Sequence, residues 1–209
     1  DERTAVDQFG KDDKYFGICT LMATLPGLPM FGHGQIEGYT EKYGMEFRRA
    51  YWDEQPDQYL IERHQREIFP LLHRRYLFAE VNDFQLYDFF TSAGFVNEDV
   101  FAYSNRHEGE QGLIIFHNKY ADTSGWIRTS VASAVIDRPS GNRDLVQKNL
   151  GEGRGLRNEA GVFTIYKDQR SGLEYIRPNT TFFEQGLYLE LGTYTTRVFV
   201  DFREVVDDD

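Results

Sequence analysis

The chain has 209 residues, 40% of them hydrophobic and 15% aromatic, with a formal net charge of −11. That length allows one or two globular domains. The acidic balance repels phosphate backbones and excludes nucleic acid as a default partner, while a neutral ligand is indifferent to it.

No apolar run reaches the roughly 20 residues that a membrane-spanning helix requires, so no membrane partner is expected. The single cysteine, Cys19, excludes an internal disulfide and a cysteine-based zinc site. Its setting, Ile18-Cys19-Thr20-Leu21-Met22, reads as a buried thiol rather than a reactive one. No initiator methionine or signal peptide opens the chain, and Asp1-Glu2-Arg3-Thr4 reads as the interior of a larger protein. The compartment stays open, with a lean to the cytoplasm.

In chain order, Asp12 or Asp13 can cap a helix that starts at Lys14. Tyr15, Ile18, Cys19, Met22 and Leu25 follow at helical spacing, and Pro26-Gly27 stops the helix. Leu28 to Phe31 is readable as a short buried strand. A long loop from Gln35 to about Pro56 carries Tyr39, Tyr43, Phe47, Tyr51 and Trp52, and loops of that length in compact folds are usually functional. A second amphipathic helix begins near Asp57 and runs to about residue 77, with Pro70 expected to kink or divide it.

After Tyr76 the apolar period changes from 3.6 to 2. Stretches at 84–89, 100–105, 113–118, 162–166, 187–191 and 197–202 alternate, with turn residues between them. Many short strands predict an antiparallel β-sandwich over 79–209. Residues 138–160, charged and rich in Gly and Asn, read as an insertion or long loop.

The segment Leu25-Pro26-Gly27-Leu28-Pro29-Met30-Phe31-Gly32-His33-Gly34-Gln35-Ile36-Glu37-Gly38 resembles the last-barrel-strand motif of the α-amylase family, glycoside hydrolase family 13. Gly27, Pro29, Gly34, Gln35 and Gly38 match it. Gly32-His33 stands where the family commonly has two aromatics, and Ile36 where it usually has Glu. The second helix resembles the family's last barrel helix, and Phe101 to Tyr120 its early C-terminal strands.

The resemblance implies an α+β chain: the remnant of a (β/α)8 barrel over 1–78 (two helices and one short strand), then an antiparallel β-sandwich over 79–209. It implies the C-terminal part of a retaining glycoside hydrolase acting on α-glucans. By position, Asp1 matches the family's last catalytic Asp, which binds substrate hydroxyls; the alternative is a solvated terminal carboxylate. His33 and Gln35 fall at the barrel mouth, as contacts to sugar hydroxyls or as polar groups satisfied in place. Tyr39, Tyr43, Tyr51 and Trp52 stack on sugar rings or anchor their loop. Glu37, Glu41 and Glu46 read as solvated charges, and His64 and His73 as surface or packing residues.

Retaining hydrolysis needs two carboxyl groups about 5 Å apart, which the family keeps on its fourth and fifth barrel strands. No acidic pair here matches them, so the chain alone is expected to be inactive. No cofactor or metal is expected: Asp7, Asp12 and Asp13 do not fit a calcium loop. The alternative is a non-catalytic carbohydrate-binding or structural β module. The helices at 14–25 and 58–77 would cover a barrel, so without it their apolar faces call for a second copy of the chain, a homodimer, or for the rest of the barrel.

Overall fold

The computed structural model describes residues 3–42, 49–136 and 143–207. The Thr4 hydroxyl accepts a hydrogen bond from the Asp7 amide at 3.3 Å and so opens helix α1 (Ala5–Phe9). Helix α2 (Asp13–Thr24) follows; Asp12 stands at its N-cap without a side-chain bond. Arg75 closes the other end by donating to the carbonyls of Ala23 at 3.1 Å, of Leu25 at 2.8 Å and of Gly27. Those carbonyls have no partner inside the helix.

The expected second helix is present but broken into α3 (Gln58–Arg63), a π-helical turn His64–Ile68, α4 (Phe69–His73) and α5 (Arg75–Phe78). Pro70 is the cause. It has no N–H to offer the Arg66 carbonyl, so the ladder widens and the Phe69 amide bonds to His64 instead. The Gln169 side chain, from the β region, donates to the stranded Arg66 carbonyl at 2.8 Å.

Among the described residues ten strands follow: β1 (Gln85–Thr91), β2 (Val100–His107), β3 (Glu110–His117), β4 (Thr123–Ser130), β5 (Ser133–Ile136), β6 (Arg143–Val146), β7 (Val162–Asp168), β8 (Glu174–Pro178), β9 (Leu187–Leu191) and β10 (Thr196–Val206). Eight form one antiparallel sheet in the order β8-β7-β10-β3-β2-β1-β4-β9, and β5 and β6 form a separate ribbon. Leu187, Leu189 and Leu191 at one edge share a core with Tyr166 and Phe199 near the other. The sheet is therefore curled, and its two halves face each other in the manner of a sandwich.

Three sequence expectations change. Residues 28–31 form no strand, and Leu28 and Met30 are 91% and 77% exposed. Backbone donors and acceptors of a barrel strand need a ladder on each side, and among the described residues nothing pairs with this segment. Residues 143–160 are not merely a loop. They hold β6 and helix α6 (Leu150–Arg154), whose capping box joins Asn149 and Glu152. The glycines there serve close packing: a Cβ on Gly151 would lie 2.5 Å from the Phe183 ring, and one on Gly153 would lie 2.5 Å from the Tyr87 hydroxyl.

The third change concerns the helical faces, which do have a partner. Val6, Phe16, Cys19, Leu60, Ile68 and Leu71 share a cluster with Val198 and Val200 of β10. Leu77 and Phe78 pack on Tyr103 and Ile114. Along β3, Leu113 and Ile115 point into the curled core while Ile114 points to the helices. Both faces of the central strands are buried, which explains the unbroken apolar run at 113–116.

Candidate functional site

The turn at 32–38 lies on α2. Gly34 has φ +69°, and a Cβ there would come within 2.7 Å of Tyr39, whose ring packs over it. Gly38 has φ +82°, and a Cβ there would press on Leu60 at 2.9 Å. Both backbones occupy a region that side chains disfavour, so two of the motif's glycines have a geometric reason. Gln35 holds the turn together. Its Oε1 accepts from the Gly32 amide at 3.0 Å, and its Nε2 points at Cys19 Sγ, 3.8 Å away.

Beneath the turn, Tyr15 Oη lies 3.0 Å from His64 Nε2 and 3.2 Å from the Gln35 carbonyl. His64 is fully buried rather than superficial. Burial pushes its imidazole below the usual range, so it is neutral; Nδ1–H donates to the Leu60 carbonyl at 3.0 Å and Nε2 faces the phenol. Burial also pushes the Cys19 thiol up to about 11, which keeps it unreactive.

The following loop is closed by its own backbone and by two carboxylates. The Asp57 amide donates to the Glu37 carbonyl at 2.9 Å, and Asp57 then caps α3 and pairs with Lys11 at 3.0 Å. Glu54 accepts from the Thr40 amide and hydroxyl at 2.7 and 2.8 Å and from the Glu41 amide at 2.9 Å. Glu41 in turn accepts from the amides of Tyr51 at 2.7 Å and Trp52 at 3.0 Å. Glu41 is 7% exposed, not the solvated charge its loop position implied. Burial would raise the Glu54 carboxyl, but the bonds from Thr40 and Glu41 outweigh it and hold the group below the ordinary range. Held ionised by these donors, Glu54 is a poor general acid, and the bonds of both carboxylates serve to build the loop.

The clamp links two of the candidate ligand contacts. Tyr39 precedes the clamped Thr40 and is half-buried over Gly34, while Trp52 is 59% exposed with its amide tied to Glu41. His33 is exposed at the tip of the turn. Gln35 faces inward. Asp1, Tyr43, Phe47 and Glu46 lie outside the described residues. Among the described residues, no group of three His, Cys, Asp or Glu side chains has metal-binding geometry. Sequence reading missed the roles of Glu41 and Glu54, because a carboxylate bound to backbone ten residues away leaves no local pattern.

No family model and no curated protein sequence matches the chain. Solved structures do. The chain is similar to an α-amylase from Geobacillus thermoleovorans, determined in complex with acarbose: TM-score 0.52 and 14% identity, covering 91% of this chain and 33% of that one. It is also similar to a debranching enzyme from Nostoc punctiforme, with TM-score 0.50 and 11% identity, covering 94% of this chain and 33% of that one. The chain thus spans about a third of the length of these enzymes. The resemblance read from residues 25–38 is borne out as a shared fold.

Proposed function

We propose that this chain is the C-terminal part of an α-amylase-like retaining glycoside hydrolase acting on α-glucans. In this reading residues 1–78 end a catalytic (β/α)8 barrel and residues 79–209 form the antiparallel β-sandwich domain behind it. The observation that carries the reading is the shared fold with an α-amylase over 91% of this chain, together with the motif glycines Gly34 and Gly38 seated where positive φ requires them. Asp1 is assigned to the substrate hydroxyls. His33, Tyr39 and Trp52 are assigned to the wall of the site, with Gln35 holding the turn that presents them. Leu25, Leu28 and Met30 are exposed and, in this reading, are the side chains that a barrel would cover.

The nucleophile and general acid belong upstream, since the retaining mechanism needs them about 5 Å apart across the scissile bond. The chain alone should therefore release no reducing sugar from starch or maltoheptaose, even at high concentration. Release above a buffer blank, abolished by substituting an acidic residue of this chain, would overturn the assignment. A second reading, a non-catalytic carbohydrate-binding β module, draws support from a face of the sheet far from the turn at 32–38 in sequence.

A further inference from the structure

We infer that the outer face of β4 and β9 binds a linear, neutral oligosaccharide laid along the strands. These two strands are antiparallel neighbours, with Trp126 opposite Tyr188 and Ser124 opposite Glu190. Ile127 of β4 and Leu187, Leu189 and Leu191 of β9 point into the core. Strand alternation therefore sends Ser124, Trp126, Tyr188 and Glu190 the other way.

The resulting order is regular. At one end the Trp126 and Tyr188 rings lie 4.9 Å apart at 58°. At the other the Tyr120 and Tyr194 rings lie 6.3 Å apart at 56°. At the ends of β1, β4 and β9 opens a concavity of about 640 Å³ lined by Thr91, Ala93, Asp122, Ser124, Glu190 and Leu191. Two ring pairs flanking strands β4 and β9 offer two separate stacking positions, which suits an oligosaccharide rather than a single sugar.

Three features point to a sugar. Tyr120 is 83% exposed and Tyr188 44% exposed, so each ring meets one aromatic neighbour and still offers apolar surface to solvent. Tyr194 holds φ +49°, a strained value for a tyrosine, in the turn where its ring meets that of Tyr120. The concavity's lining mixes hydroxyl and carboxylate groups (Thr91, Ser92, Asp122, Ser124, Glu190) with the apolar Ala93 and Leu191, the mixture that a pyranose, with its hydroxyl rim and apolar faces, also presents.

The mixed charge of the face favours a neutral ligand. Asp122 and Glu190 repel anions, and their polarity disfavours an apolar peptide. Arg128, 4.8 Å from the Trp126 ring, and Lys14, 5.8 Å from the Tyr194 ring, balance them at the two ends. Arg128 is exposed and free to swing from the indole toward a sugar hydroxyl. That the sugar is an α-glucan rests on the function proposed above.

The test is isothermal titration of the whole chain with maltoheptaose and with cellohexaose, each at two temperatures. Saturable binding is expected for maltoheptaose. Tyr120→Ala and Tyr188→Ala should each weaken it roughly three- to tenfold, the worth of one aromatic contact. Tyr120 is 83% exposed, so Tyr120→Ala should not change the melting temperature, and Tyr59→Ala, an exposed aromatic on α3, should leave the affinity unchanged. Absence of saturable heat with either sugar overturns the site, as does binding that survives both tyrosine substitutions or disappears with Tyr59→Ala. Binding of cellohexaose alone, lost in the tyrosine variants, supports the site and overturns the α-glucan. The parentage of the chain is judged from the sequence upstream of Asp1, so the two failures are told apart.

Discussion

Replacing Glu67 with alanine is expected to destabilise the fold by about 3–5 kcal/mol, the cost of removing one partner from a buried ion pair. The Glu67 side chain is 7% exposed in the π-helical turn. It accepts a forked pair of bonds from Arg63, at 2.8 and 3.1 Å, and a further bond from Arg66 at 3.0 Å. It also meets Arg170 of the β7–β8 hairpin at 3.3 Å. Arg63 reaches on to Asp13 of α2 at 2.8 Å and lies 3.9 Å from the Phe16 ring. One carboxylate thus joins α2, the broken helix and the sheet. Without it, Arg170, 16% exposed, loses its ion-pair partner, and Arg63, 8% exposed, keeps only the largely exposed Asp13. Arg66→Ala is the contrast: its side chain is 60% exposed, so the loss should be no more than about 1 kcal/mol.

The effect has a defined pH dependence. Burial would raise the Glu67 carboxyl, but the bonds from Arg63 and the charge of Arg170 outweigh it and lower the group from its usual 4.5. A carboxyl lowered in the folded state stabilises the fold above its unfolded value, and that stabilisation is lost as the pH falls through the folded value. The gap between the native chain and Glu67→Ala should therefore be constant above about pH 4.5 and shrink below it. Chemical denaturation at stepped pH measures it. A gap that widened in acid would contradict the account.

Gly17→Val is expected to cost about 3 kcal/mol or more by overpacking, and Gly17→Ala a net 1–2 kcal/mol. The second figure decides between opposed effects. Alanine in a helix interior is favoured over glycine by about 1 kcal/mol. Against that, a Cβ on Gly17 would sit 2.0 Å from the Phe116 ring of β3, and that ring is fully buried. Phe116 also stacks on Phe101, 6.5 Å between centroids, which limits its retreat. The bare backbone of α2 lets the helix settle on the sheet. A Gly17→Ala chain more stable than the native one in urea would mean that the helix does not approach β3 this closely.

The same glycine illustrates what the sequence could carry. The spacing of Tyr15 and Cys19, with Asp12 before them, located α2 well, and the change of period near residue 78 located the start of the β region. Gly17 gave no sign that the helix would sit on a sheet. The apolar run Leu28–Phe31 was misread because its residues suit a strand equally well whether or not neighbours exist to pair with it. β4 escaped notice because Gly125 interrupts its pattern; the glycine is there because a Cβ would lie 2.1 Å from the Phe90 carbonyl oxygen. Helix α6 hid in a glycine-rich stretch for a similar reason.

The candidate site was legible only in part. The motif located the turn at Gly34 and Gly38, and the long aromatic loop was visible as such. The Glu41–Glu54 clamp was not, because it depends on which backbone amides a folded loop presents. The face of β4 and β9 shows the same limit. Tyr120, Asp122, Ser124 and Trp126 alternate plainly, as do Tyr188, Glu190, Gly192 and Tyr194, but only the register brings the two series side by side.

The most direct test of the proposed parentage is to read the coding sequence immediately upstream of Asp1 in its source genome. The account predicts an Asn-His pair directly before Asp1, preceded by a barrel with one carboxylate at the end of its fourth strand and another at the end of its fifth. An initiation codon at that point, or an unrelated domain running straight into residue 1, would contradict it.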